Sequence, residues 1–302
     1  MAARIISIPR SPALPVLAAA LGIALFTLMD AVMKGESLAI GAYCAMLWRT
    51  AIGTITAGAL LFHEPLRRPS AEAWRLHLQR GAVTALSATG YFFGLTRLPM
   101  AEGIALSFIA PLVALYLAAA LLGEPVGRRA IAASLLSLAG VVLLLGSRAA
   151  GRFDGTALVG AVAILGSAAV YGYGLILLRR QAQLATPIEV SFFQNAMTLL
   201  WLLPGAYWLA PLPAAHHWPG LAVGALLGQM SIMLIAWAYA RVEARMLIPL
   251  EYSAFLWSAL FGALFFGERL TPMVVAGGAL IVAGCVASTR TRPQPLAAEV
   301  SL

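Results

Sequence analysis

Lysine occurs once in this chain, cysteine twice and histidine four times, and charged residues of all kinds fill only 11% of its 302 positions. A water-soluble globular protein carries about a quarter charged residues. With 61% hydrophobic residues, a soluble fold of this length would be apolar outside as well as inside. The shortage of charge therefore makes lipid the solvent for most of the chain. The two cysteines, Cys44 and Cys285, lie inside apolar runs and give neither a disulfide framework nor a metal-ligand spacing. No histidine falls deep in an apolar run: His63 and His77 sit near run ends, and His216-His217 between runs. No Ser–His or Asp–Asp arrangement is visible, so no catalytic residues, metal or cofactor are expected. A glycine-rich lysine motif for a nucleotide is also missing, which speaks against ATP as the driving force.

What charge there is comes to +8, almost all of it arginine. These arginines stand singly or in pairs between apolar runs, with no interleaved aromatic patch. That pattern fits membrane topology and not nucleic acid. The apolar run that begins near Leu14 follows Arg4 and Arg10 as a signal peptide would, but it continues to Val32 and has many equals, so it reads as a retained first helix.

A bilayer-spanning helix needs about 20 apolar residues. Ten such runs are legible, roughly 14–34, 40–62, 75–96, 100–122, 128–147, 155–178, 187–209, 217–240, 246–267 and 271–289. The runs are continuously apolar, without the alternation of a membrane barrel. Sorted by the loops that this count defines, one side of the membrane receives fourteen of the twenty basic residues and the other five, with Arg49 inside a span. The positive-inside rule then puts both termini in the cytoplasm. Trp74 and Tyr239 at inner ends and Tyr207, Trp208 and Trp218 at outer ends form an interfacial belt. The tail 291–302 is expected to be a disordered cytoplasmic segment.

A shift of 144 residues superposes Gly123-Glu124 on Gly267-Glu268 and Ala139-Gly140 on Ala283-Gly284, and a slightly different shift pairs Trp48-Arg49 with Gln194-Asn195. The fold expected is thus all-α and integral to the membrane, with ten transmembrane helices in two five-helix repeats, 1–150 and 151–290. Five is odd, so the second repeat enters the membrane from the opposite side. Inverted repeats of this kind characterise secondary transporters, whose binding site lies near the midplane between the halves. Each Gly-Glu reads as a tight helical hairpin. The glycine closes one helix in the left-handed conformation, the glutamate favours the start of the next, and Pro125 or Pro272 begins it.

With ten spans, two five-helix halves and the repeated "GEP" and "GER" junctions, the chain resembles the drug/metabolite transporter superfamily in its EamA-type exporter branch. Within that branch it is most similar to bacterial exporters of aromatic and other neutral amino acids. The resemblance implies export by alternating access and a central cavity lined by the first, third and fourth spans of each half. It also implies residence in the bacterial cytoplasmic (inner) membrane.

Ionisable groups inside spans are functional candidates by default. Asp30 and Arg49 lie roughly 24 and 20 Å from the inner surface at 1.5 Å per residue, on sequential helices, and an ion pair between them is expected. One of them could instead meet a substrate carboxylate or ammonium, and Asp30 could pair with Lys34 one turn on. Glu251 is a candidate proton carrier, although a facilitator with no ion coupling is equally open. The helical faces of the inner spans present Ser87 and Tyr91, Ser107 and Pro111, Tyr171, Gln229, Met233 and Trp237, and Glu251 and Phe255 as a cavity lining. Aromatic rings with few fixed charges suit a zwitterion with an apolar side chain. Pro111 and Pro249 are expected to bend their helices for gating. "GLAVGALLG", Gly220 to Gly228, permits close helix contact, within the chain or between chains. The leading reading is a monomeric secondary exporter of amino acids and related metabolites. The alternatives are a broad exporter of drugs and lipophilic compounds on the same fold and, third, an intramembrane enzyme. The arginine asymmetry predicts that a fluorescent protein fused after Leu302 fluoresces and that a periplasm-dependent phosphatase there stays inactive; the opposite pair of results reverses the topology.

Overall fold

The computed structural model describes residues 13–62, 69–122, 155–239 and 252–289, together with Leu250 and short stretches between 131 and 143. These residues form helices α1 (Ala13–Ile40), α2 (Ala42–Leu61), α3 (Ala71–Leu95), α4 (Met100–Ser107), α5 (Ala110–Leu122), α6 (Gly155–Leu184) and α7 (Pro187–Leu209). A 3-10 turn at Ala215–His217 leads into α8 (Trp218–Tyr239), followed by α9 (Ala254–Phe266) and α10 (Pro272–Thr289). There is no strand among the described residues. Of the expected fifth span, 131–132, 135–136 and 138–143 are helical; its other residues and the 291–302 tail lie outside the described residues.

Helix boundaries follow local chemistry. Ser70 accepts the Ala73 amide at 3.1 Å and starts α3. Thr186 and Glu189 form a reciprocal capping box, with Pro187 in the first turn of α7. Gly267 ends α9 in the left-handed region, with φ 61°, where a side chain would be strained. Thr271 and Pro272 then open α10, the Val274 amide donating to Thr271 Oγ1 at 3.3 Å. The expected fourth span is broken. Its helix stops at Ser107 and resumes at Ala110 through a turn at Phe108-Ile109. Pro111 disfavours helical geometry in the residue before it and cannot donate to the turn behind, so the break falls ahead of the proline and not at it. Pro249, the other expected bend, is outside the described residues.

Each long helix shows two faces. On α1, Ala19, Ile23, Thr27, Asp30 and Lys34 are buried at intervals of three and four, while Leu14, Leu17 and Leu21 are exposed, Leu17 by 66%. A leucine stripe of that kind fits hydrocarbon and not water. The helices 13–40, 42–61, 155–178 and 215–235 are long and apolar enough to cross a bilayer.

The strongest helix pairings are α1 with α8, α3 with α6, and α2 with α7, flanked by α4 and α5 on α6 and by α9 on α1. Exchanging the first five spans for the second five maps this pattern onto itself. Each pairing joins one half to the other, so the halves are interleaved. Glycine permits the closest approaches. A Cβ on Gly94 of α3 would stand 2.5 Å from the Gly160 carbonyl and from Ile164 on α6. Gly94→Val therefore forces α3 and α6 apart, at about 1–3 kcal/mol, and is expected to lower the unfolding temperature in detergent; an unchanged temperature would contradict that contact.

Candidate functional site

Three buried polar systems lie between the halves, and α1 carries two of them. Asp30 is 4% exposed in the middle of α1. It accepts a hydrogen bond at 3.3 Å from the Tyr91 hydroxyl on α3. Arg49 enters from α2 and lies over the bare face of α8, where a Cβ on Gly228 would stand 3.4 Å from Nη1 and one on Gly224 3.9 Å from Cδ. Asp30 and Arg49 feel each other's charge, but the expected ion pair is not formed. The physical reason is the direction of the two helices' faces: α1 turns Asp30 toward α3, and the glycines draw Arg49 toward α8. The buried Nε of Arg49 has no hydrogen-bond partner.

One helical turn beyond Asp30, Lys34 is also 4% exposed. Its ammonium meets the Glu268 carboxylate in an ion pair, donates to the Leu98 carbonyl at 2.8 Å and stands 4.8 Å from the centre of the Phe266 ring. The other oxygen of Glu268 accepts the Met100 amide at 2.7 Å. Met100 is the first residue of α4, preceded by Pro99, which offers no capping side chain. Glu268 therefore caps the start of a helix in the other half, where a negative charge is favoured. It does not cap α10, the next helix in its own hairpin, as its position in the sequence suggests. Gly262 gives it room to fold back, since a Cβ there would collide with Oε2. A small cleft beside the pair is lined by Pro99, Ala101, Glu102, Ala259 and Arg269 among others. His217 adds a 2.8 Å contact to Glu36 at this same end.

At the opposite end, Arg80 donates to the Gln181 side chain at 2.6 Å. Gln181 in turn meets His77 Nδ1 at 2.5 Å, and the His77 ring stacks on Phe193 with centroids 4.1 Å apart. This network ties α3 to α6 and α7. Both ends of the bundle thus carry polar contacts between halves. The two differ in strength of charge: one is an ion pair, the other an arginine met by a neutral amide.

The other expected lining residues are scattered. Gln229 is buried and accepts from Thr56 on α2 at 2.9 Å. Ser87 is buried on α3. Ser107 donates to the Ile104 carbonyl within its own helix. Phe255 packs on Gly278 of α10, where a Cβ would meet its ring at 2.7 Å, so it serves the contact of α9 with α10 and not a central face. Trp237 packs beside Ala19 and Ala238. Tyr171 and Met233 keep 50% and 39% of their surface exposed. Pro111 falls in the first turn of α5, and Glu251 lies outside the described residues. Lys34 and Glu268 at one end, and Arg80, Gln181 and His77 at the other, are residues that sequence reasoning missed; the signal available was that Lys34 is the sole lysine.

A helical bundle of two repeats, with ionisable groups sealed between them and lipid-facing leucines outside, defines a membrane transporter. The EamA-like transporter family matches it twice, over residues 13–146 and 158–290, and the chain belongs to that family. It is 27% identical over 282 residues to the Pseudopaline exporter CntI of Pseudomonas aeruginosa, covering 92% of this chain and 96% of that one. It is 29% identical over 203 residues to the Aromatic amino acid exporter YddG of Ancylobacter novellus, covering 66% and 70%. One crystal structure shares the fold at a TM-score of 0.63 and 22% identity, over 92% of this chain and 97% of the other.

Removing one partner of a buried ion pair costs about 3–5 kcal/mol. In a protein lacking Cys44 and Cys285, Glu268→Gln is expected to raise the labelling rate of a cysteine at position 259 by a membrane-impermeant maleimide at least ~10-fold. An unchanged rate would show that the pair does not hold this end closed.

Proposed function

We propose that the protein exports amino acids, aromatic and other neutral ones, and related metabolites across the bacterial inner membrane by alternating access between its two repeats. The observation that carries this reading is the Asp30–Tyr91–Arg49 layer. It is sealed from one side by Lys34–Glu268 and from the other by Arg80–Gln181–His77. Charged groups are retained inside a membrane fold at a cost, and here both signs are retained at one depth among aromatic rings. A zwitterion with an apolar side chain complements such a layer.

In the cycle that follows, breaking the Lys34–Glu268 pair frees the α9–α10 turn from α1 and α4 and opens the layer at that end. The halves are inverted, so exchanging their conformations opens the opposite end while the first closes. Arg80, Gln181 and His77 then separate. The fixed positive charge of Arg49 weighs against lipophilic cations as cargo. A second reading, that the cargo is like that of the pseudopaline exporter, is favoured by an alignment that runs over nearly the whole of both chains.

Proteoliposomes loaded with labelled phenylalanine, tryptophan and leucine, and separately with pseudopaline, test this. Flux of at least one amino acid is expected. Flux of pseudopaline alone supports the second reading, and no flux of any compound overturns both. The same vesicles decide the driving force. Flux that rises with acid outside, and loses that response in Glu251→Gln, means proton antiport; flux indifferent to the gradient in both proteins means facilitated diffusion.

A further inference from the structure

Arg49 is a partly buried cation whose Nε is buried without an acceptor among the described residues. Its guanidinium makes no hydrogen bond and no ion pair with any described residue. Every other buried charge treated above is met: Lys34 by Glu268 and the Leu98 carbonyl, Arg80 by Gln181 and Asp30 by Tyr91. A charged donor buried without an acceptor is unfavourable, so a fold that keeps one calls for an anionic acceptor from outside.

The local packing keeps the guanidinium ready for that anion. Gly224 and Gly228 place no side chain under it, and Met29 and Met33 of α1 flank the same face of α8. The third glycine of the stripe, Gly220, makes way for Glu36. The stripe thus serves contacts within the chain, and two of its three members make space for Arg49. The stem lies along the glycine face of α8 while the planar donor fork makes no hydrogen bond to a described residue, and such a fork can bind a carboxylate through two parallel hydrogen bonds. Asp30 is close enough to act on Arg49 electrostatically, yet it is hydrogen-bonded to Tyr91 and makes no ion pair with Arg49. The corresponding pair in the second half, Gln194-Asn195, is neutral, and Asn195 is spent on the Ser191 carbonyl at 3.0 Å. The charged end of a ligand therefore has one half to bind, the first.

We propose that Arg49 is the receptor for the substrate's carboxylate and Asp30, positioned by Tyr91, the receptor for its ammonium, so that the site takes small zwitterions with both groups close together. This rests on the amino-acid reading above and names how that cargo is recognised. Lys34 lies one turn from Asp30 on the same helix, so a ligand held by Asp30 and Arg49 acts on the helix that carries the Lys34–Glu268 pair.

The test uses the full chain in liposomes with three probes of one ring system: tryptophan, tryptamine, which lacks the carboxylate, and indole-3-propionate, which lacks the amine. Wild type is expected to move tryptophan at least ~30-fold faster than either analogue, the scale on which loss of one buried charge partner acts. Arg49→Gln is expected to lose tryptophan flux and its preference over tryptamine together, and Arg49→Lys to regain part of both. Loss of flux with preference intact would be a merely structural effect and would overturn the assignment. So would a wild type that moves tryptamine as fast as tryptophan, a reading that stands even if Arg49→Gln does not fold. Competition of tryptophan flux by inorganic phosphate as strong as by unlabelled tryptophan would make Arg49 a general anion site and also overturn it. No flux of any amino acid sinks the amino-acid reading first; tryptophan flux that ignores Arg49 sinks only this assignment.

Discussion

The pair Lys34–Glu268 is the contact on which the rest of the arrangement depends. It binds the one lysine of the chain to a carboxylate 234 residues away, and its partners come from α1, the turn before α4 and the turn after α9. An ion pair taken out of water gains little unless its remaining donors and acceptors are also satisfied. Here they are, by the Leu98 carbonyl and the Met100 amide. The closure therefore works as a unit: release of Glu268 leaves Lys34 with lost charge compensation and α4 with an uncapped start. Such a contact is either made or broken, which suits the alternating access proposed for this protein.

Interleaving of the halves gives that closure its reach. Because α1 packs on α8 and α3 on α6, no helix of one half moves without sliding on the other. Small residues set how closely these surfaces meet, as at Gly94 and Gly160. Hydrocarbon outside gives helices no hydrophobic reason to associate, so packing and polar contacts carry the assembly. The polar contacts of the ionisable residues treated above fall in three levels: Lys34–Glu268 at one end, Asp30–Tyr91 with Arg49 in the middle, and Arg80–Gln181–His77 at the other.

Much of the fold was legible in the sequence because lipid imposes simple rules. Apolar run lengths locate the helices, and Gly267 and Pro272 mark the end of α9 and the start of α10 by backbone geometry alone. The place of Asp30 within α1 and of Arg49 within α2 followed from counting residues. Their partners did not, because rotation of each helix about its axis depends on what it packs against: Tyr91 claimed Asp30, and the Gly224–Gly228 face claimed Arg49. Glu268 shows the same limit. Its sequence position suggests a cap for the helix that follows, but the fold brings the bare start of α4 closer, and the carboxylate turns back to it. The break before Pro111 was misplaced by a few residues because a proline constrains the residues ahead of it. Phe255, expected in the cavity, packs on Gly278, a pairing that only the placement of α10 reveals.

The central claim is that the Lys34 end opens and closes as cargo passes the charged layer beneath it. Cysteines at positions 34 and 268, in a protein lacking Cys44 and Cys285, can be bridged by a short bifunctional methanethiosulfonate and freed by reducing agent. Amino-acid flux through proteoliposomes is predicted to stop on bridging and to return on reduction, with monofunctional reagent at either cysteine failing to reproduce the reversible block. Undiminished flux through the bridged protein would contradict the account.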